Sequence, residues 1–258
     1  MKKNKIMLSL EKLQNFPTRD HFRLRGVNGT RMDGLSDGIF ALAVAILLIS
    51  SSVPTNYQEL TQFVFDIIPF SICILFVYWI WNSLSNFNIR YGMEDSRTSF
   101  LKMSLLFFVL FYVYPLKFLM SWQVKYFSAI FSGSLGERYQ ELNAMIPFSK
   151  LPELMVIYGI GFILIYVITY LLHRRAYQCR EALQLDEREI LETQFSMRHY
   201  FAIGSVGVIS VFLAIISILL EYPLGALFAG ISYNLIWIFV IINMRYEKRK
   251  LAEFGMEA

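Results

Sequence analysis

Long apolar runs, separated by short polar segments, make up most of the chain. That is the pattern expected when lipid rather than water is the solvent. A membrane-crossing helix needs about 20 predominantly apolar residues. Six stretches qualify, at 34–53, 62–86, 99–121, 151–173, 200–221 and 224–244. The fifth and sixth are separated only by Glu221, Tyr222 and Pro223, which predicts a tight helical hairpin. The expected architecture is an all-α, polytopic membrane protein of six transmembrane helices. Residues 1–33 precede that domain and 245–258 follow it.

The first stretch carries two stripes. Leu35, Ile39, Leu42, Ile46, Ile49 and Val53 step alternately by four and three. Such a heptad seam lets identical helices pack around an axis, and it equally suits core packing inside one subunit. Gly34, Gly38, Ala41 and Ala45 repeat the spacing with small side chains, which permit close backbone approach in lipid. Asp37 lies one turn inside this helix, where a carboxylate is costly unless paired. Arg31 is on another face, so the partner must come from another helix. The second stretch offers Tyr78, Trp79, Trp81 and Asn82 at the matching end. A bond from Asp37 or Ser36 to Trp79 or Asn82 would lock the two helices. The alternatives are a carboxylate placed for the helix dipole, or direct ion coordination. Ser50, Ser51 and Ser52 follow the stripe, either as hydroxyls for an arriving cation or as the helix end giving way to a loop.

Basic residues predict the orientation, because they favour the cytoplasmic side. Before the first span lie Lys2, Lys3, Lys5, Lys12, Arg19, Arg23, Arg25 and Arg31. The first connection has none, and the second has Arg90 and Arg97. The long third connection has Lys125, Arg138 and Lys150. The fourth has Arg174, Arg175, Arg180, Arg188 and Arg198, and the tail has Arg245, Lys248, Arg249 and Lys250. Alternation holds except at the third connection, so both termini are expected in the cytoplasm and the protein in a cell membrane. The first span is expected to act as an uncleaved signal-anchor.

Composition supports this picture. Of 258 residues, 56% are hydrophobic and only 17% charged, against about a quarter charged in soluble domains. The net charge of +4 is scattered between spans rather than gathered in one patch, which argues against nucleic-acid binding. Met7, Leu8, Leu10, Leu13 and Phe16 predict a short interfacial helix stopped by Pro17. Segment 122–150 is expected as an outside loop resting on the interface through Trp122, Tyr126, Phe127, Ile130 and Phe131. Segment 174–198 is expected as a charged linker whose Glu187, Glu189 and Glu192 face solvent with Arg188. Asp66 and Glu221 are expected at the interface, and Lys117 is placed to snorkel. Cys73 and Cys179 are expected to be unpaired.

Enzymatic signals are scarce. His21, His173 and His199 fall near the cytoplasmic side. Zinc-binding, phosphate-binding, nucleophile-elbow and paired-cysteine motifs are missing, and so is metal-ligand spacing. No P-loop selectivity filter of the Thr-Val-Gly-Tyr-Gly type occurs, and no arginine-rich voltage-sensing helix. No enzyme activity, cofactor or resident metal is expected.

The segment Arg31-Met-Asp-Gly-Leu-Ser-Asp-Gly-Ile-Phe-Ala-Leu-Ala resembles the signature of the transmembrane protein 175 family, which comprises lysosomal potassium channels with bacterial homologues. Arg31, Ser36, Asp37, Gly38, Ile39, Phe40, Ala41 and Ala43 match, with Leu35 in place of a phenylalanine. The resemblance implies a bacterial six-span homotetramer in the lipid bilayer, permeable to potassium and needing no cofactor. Its first helix would line a central pore. The constriction would fall at Leu42, Ile46 and Ile49, with Leu35, Ile39, Ala45, Ser50 and Val53 also facing the pore. Arg31, Ser36, Asp37, Trp79 and Asn82 would form the signature lock. Two positions depart from the family pattern: Ala45 stands where threonine is common, and Trp79-Ile80-Trp81-Asn82-Ser83 lacks the histidine that often follows the tryptophan. The rival readings are a secondary transporter, which would need a mid-membrane binding site, and a non-conducting scaffold.

Overall fold

The computed structural model describes residues 16–49, 54–222 and 225–254. The interfacial helix expected before Pro17, and Ser50 to Val53, lie outside them. A two-residue antiparallel hairpin opens the described chain, β1 (Thr18–Arg19) with β2 (Phe22–Arg23). Helices follow as α1 (Arg31–Ile49), α2 (Tyr57–Phe65), α3 (Ile67–Tyr91), α4 (Ser96–Phe131), α5 (Leu135–Met145), α6 (Leu151–Gln178), α7 (Glu187–Leu219), α8 (Gly225–Ser232) and α9 (Leu235–Glu253). Six segments among them are long and apolar enough to cross a membrane.

Several elements differ from expectation. The second span is α2 and α3 in sequence, broken at Asp66. Pro69 explains the break, since it has no N–H to give the Phe65 carbonyl and is tolerated only in a helix's first turn. The expected third span, 99–121, is the 36-residue helix α4, which contains Pro115 and runs to Phe131. The last span is divided at Tyr233–Asn234.

Segment 122–150 is folded rather than a loop. It comprises the end of α4, α5 and a 3-10 turn at Phe148–Lys150. Trp122 is buried and its indole N–H donates to the Leu142 carbonyl at 3.1 Å. Leu119, Trp122, Leu142, Ile146 and Met155 form a second apolar core with Ala214 and Ala226.

The main core gathers Phe40, Ala43 and Leu47 of α1, Cys73, Val77, Ile80, Leu84 and Phe87 of α3, Leu105, Leu106 and Val109 of α4, and Ile165 and Leu172 of α6. The α6–α7 pair is the most extensive helix contact. Cys73 and Cys179 are free thiols. His173 is buried among aromatic rings, 5.2 Å from Phe87 and 4.8 Å from Tyr200 between centroids.

Segment 174–198 is not a solvated linker. Helix α6 ends at Gln178, and α7 starts at a capping box in which Asp186 and Glu189 satisfy each other's backbone N–H groups. Glu189 is fully buried and Glu192 nearly so. The guanidiniums of Arg25 and Arg23 donate to Glu189 Oε2 at 2.7 Å and 2.9 Å. Glu192 pairs with Arg188 at 3.2 Å and Arg90 at 3.5 Å. The segment after the hairpin is pulled against α3 by backbone contact. Gly26 N–H donates to the Ile89 carbonyl at 2.9 Å. A side-chain carbon at Gly26 would overlap the Asn88 backbone, and one at Gly92, the left-handed cap of α3, would strike Arg25.

Two predictions follow from this end of the molecule. Removing one partner of a buried ion pair strands the other and costs about 3–5 kcal/mol. Glu189→Gln is therefore expected to lower the thermal midpoint in detergent clearly, whereas Glu187→Gln, at the exposed start of α7, leaves it nearly unchanged. The second concerns Asp95. Burial pushes its carboxyl up, but the Thr98 hydroxyl and the Arg175 guanidinium outweigh that and hold it below the ordinary 3.8. A depressed carboxylate stabilises the fold above its unfolded pKa, and that stabilisation is lost as pH falls through the folded value. Asp95→Asn is expected to lower stability at neutral pH, with the difference from wild type closing below about pH 4.

Candidate functional site

Helix α1 starts at Thr30 because the chain caps itself there. The Thr30 hydroxyl accepts from Asp33 N–H at 3.2 Å, and the Asp33 carboxylate accepts from Thr30 N–H at 2.9 Å. This reciprocal cap also places acid in the first turn, where the helix dipole favours it. One face turns inward: Ser36, Phe40, Ala43 and Leu47 are buried. Ser36 closes on its own helix, donating to the Met32 carbonyl at 2.8 Å.

Two lysines of α4 hold α1 at both ends. Lys102, buried, lies 3.5 Å from Asp33. Lys117, also buried, donates to the Leu47 carbonyl at 2.8 Å. The lysines are fifteen residues apart and their targets fourteen, or about 22 and 21 Å along each helix. The matched spacing fixes α1 and α4 as parallel neighbours in register. Lys117 thus binds the chain rather than snorkelling. Neither lysine contact was evident in the sequence. The signal that could have found them is a basic residue near each end of an apolar helix.

Asp37 does receive a partner from the second span, but a different one from that expected. Trp81 Nε1–H donates to Asp37 Oδ1 at 2.8 Å. Trp79 and Asn82 are not the partners of Asp37 or Ser36. Trp79 and Trp81 are two residues apart, so they point about 200° apart around α3. The Trp79 ring faces Trp237 of α9, at 6.1 Å. Arg31 is exposed at the helix start.

The outward face of α1 carries both stripes. Leu35, Leu42 and Ile49 are 48%, 49% and 77% exposed. Ile39, Ala45 and Ile46 are half-buried, and Ile39 packs partly against the main core. Gly34, Gly38 and Ala41 are exposed, with open space around the two glycines. At about 100° per residue the small and bulky stripes lie side by side, roughly 90° apart. Ser50 and Val53 fall outside the described residues.

Trp81→Phe keeps the ring and removes the N–H, leaving the Asp37 carboxylate without its inter-helix donor. A hydrogen bond to a charged group contributes about 1–3 kcal/mol. The variant is expected to melt several degrees lower in detergent, and Trp79→Phe to melt near wild type. Equal midpoints for the two variants would show that the Trp81–Asp37 bond does not hold the helices.

The family model for the endosomal/lysosomal potassium channel TMEM175 matches residues 31–112, from the cap of α1 into α4. A potassium channel of Marivirga tractuosa is 35% identical over 198 residues, covering 76% of this chain and 78% of that protein. A crystal structure is also similar, that of a threonine-to-alanine variant of the potassium channel MtTMEM175 in complex with a nanobody–MBP fusion protein. It matches with a TM-score of 0.77 and 32% identity, over 90% of this chain and 99% of that one. With the Arg31–Asp37 signature at the head of α1 and these relatives along most of its length, the chain belongs to the TMEM175 family of potassium channels, a non-enzymatic family with bacterial members.

Proposed function

We propose that this protein is a potassium-preferring cation channel in which four copies of α1 surround a central pore. The observation that carries this reading is the outward face of α1. Its own chain buries the opposite face and leaves Leu35, Leu42 and Ile49 uncovered at heptad spacing. Lipid could cover an apolar stripe. It suits poorly the exposed Asp37 and the open backbone at Gly34 and Gly38 on the same outward surface. A neighbouring copy suits them, because small residues let helices approach closely. With the small stripe against the neighbour, the bulky stripe turns toward the axis.

Leu42, Ile46 and Ile49 then form an apolar constriction. Such a ring offers an ion no ligands, and it gates by dewetting and rehydration as the helices rotate. Preference for potassium follows from dehydration, since potassium holds its water less tightly than sodium. Ala45 offers no hydroxyl one turn into the constriction. The Trp81–Asp37 bond would fix the rotation of α1 and so the width of the ring.

Arg25, Arg90 of α3 and Arg175 of α6 gather at the end of the bundle where α1 begins, paired with Glu189, Glu192 and Asp95. By the positive-inside rule this end is cytoplasmic, with both termini, and the channel sits in the plasma membrane.

Reversal potential in planar bilayers, with potassium on one side and sodium on the other, tests the proposal. Wild type is expected to reverse toward the potassium equilibrium potential. Ile46→Asn wets the ring and is expected to raise conductance severalfold while weakening the preference for potassium. Absence of current from both proteins despite verified insertion would contradict a pore, and saturating flux would favour a carrier.

A further inference from the structure

A cleft of about 270 Å³ opens between the start of α4 and the end of α6, lined by Arg97, Leu101, Leu171, Arg174, Arg175 and Gln178. It lies away from the α1 stripe and plays no part in the proposed conduction path. We infer that this cleft binds the phosphate headgroup of an anionic membrane phospholipid, with an acyl chain lying along the α4–α6 groove.

Three arginines line one small cleft. Arg175 is neutralised by Asp95, at 3.1 Å. Arg97 and Arg174 are exposed, and neither has an acidic side chain within 4 Å among the described residues. The cleft therefore keeps an excess of two positive charges and a preference for an anion. Guanidinium groups present planar, paired donors that match phosphate oxygens. Gln178 adds an amide at the rim.

The apolar surroundings favour lipid over free phosphate. The cleft lies where two spans meet the polar boundary, the depth at which headgroups lie. Leu101 and Leu171 form its apolar lining. Along α4, steps of seven lead from Arg97 to Ser104 and Phe111. Along α6, steps of seven lead back from Arg174 to Val167 and Ile160. Sevenfold steps keep nearly one helix face. Phe111, Val167 and Ile160 are all exposed. Ser104 closes its hydroxyl on the Phe100 carbonyl, and exposed apolar side chains continue into the membrane below the arginines, Phe111 on α4 and Val167 and Ile160 on α6, as an acyl chain needs and inorganic phosphate does not. Basic pockets between transmembrane helices are suited to anionic headgroups, each nearby arginine contributing about 1 kcal/mol.

Native mass spectrometry of the delipidated, intact protein measures this directly. Titration with phosphatidylglycerol and phosphatidylcholine is expected to show tighter binding of the anionic lipid. The double substitution Arg97→Gln with Arg174→Gln is expected to weaken phosphatidylglycerol binding by about tenfold or more, leaving phosphatidylcholine binding and the melting midpoint unchanged. Both side chains are exposed, so the fold does not depend on them. Arg174→Gln alone is expected to act in the same direction with a smaller loss. Equal phosphatidylglycerol binding by wild type and the double variant would overturn the inference. So would displacement of the lipid by equimolar inorganic phosphate, which would make this a site for the free anion.

Discussion

Helix α1 is pinned to α4 at both ends, and the use of its outer face depends on that. Lys102 reaches the Asp33 carboxylate in its first turn, and Lys117 reaches the Leu47 carbonyl near its last. Both lysines are buried, where an unpaired ammonium would be costly. Lys102 is held by an ion pair and Lys117 by a hydrogen bond, and the two contacts fix α1 along its axis. Trp81 adds the rotational constraint through Asp37. Sliding or turning α1 would break one of the three. A helix held this way keeps one constant outer face, as the proposed constriction requires.

The same logic orders the arginine-rich end. Glu189 is enclosed by Arg23 and Arg25, joining the segment before α1 to the start of α7, 164 residues from Arg25. The chain ahead of α1 is thereby tied to the far half of the molecule. Burying these charges is costly in itself, and their mutual contacts offset that cost only when each has its partner.

Much of this was legible in the sequence, for identifiable reasons. Apolar runs of spanning length report membrane helices because lipid leaves few alternatives for the backbone. Of the stripe that the spacing marked, Leu35, Leu42 and Ile49 are uncovered, while Ile39 and Ile46 are half-buried. The Arg31–Asp37 signature pointed to the family that the comparisons establish. What escaped were matters of helix rotation and polar pairing. Hydropathy cannot choose between Trp79 and Trp81, since both are tryptophans at one end of one helix and only the rotation of α3 decides. Glu189 and Glu192 read as a solvated face because their partners, Arg23, Arg25 and Arg90, lie about a hundred residues or more away in sequence. The helices of 122–150 were hidden because a segment rich in aromatic and polar residues suits an interface loop and a packed cap alike.

Accessibility of engineered thiols along α1 measures whether its outer stripe faces an ion path. Cysteine is placed singly at Leu42, Ile46 and Ile49, and on the buried face at Phe40 and Leu47, and bilayer current is followed during exposure to a small thiol-reactive cation. A Cys179→Ser background, whose remaining thiol Cys73 is buried in the core, carries the substitutions and serves as the unreactive control. Rapid, irreversible block is expected at Leu42→Cys, Ile46→Cys and Ile49→Cys, with current at Phe40→Cys and Leu47→Cys unaffected. Block confined to the buried face, or undiminished current at all three outer positions after confirmed labelling, would contradict an ion path along that stripe.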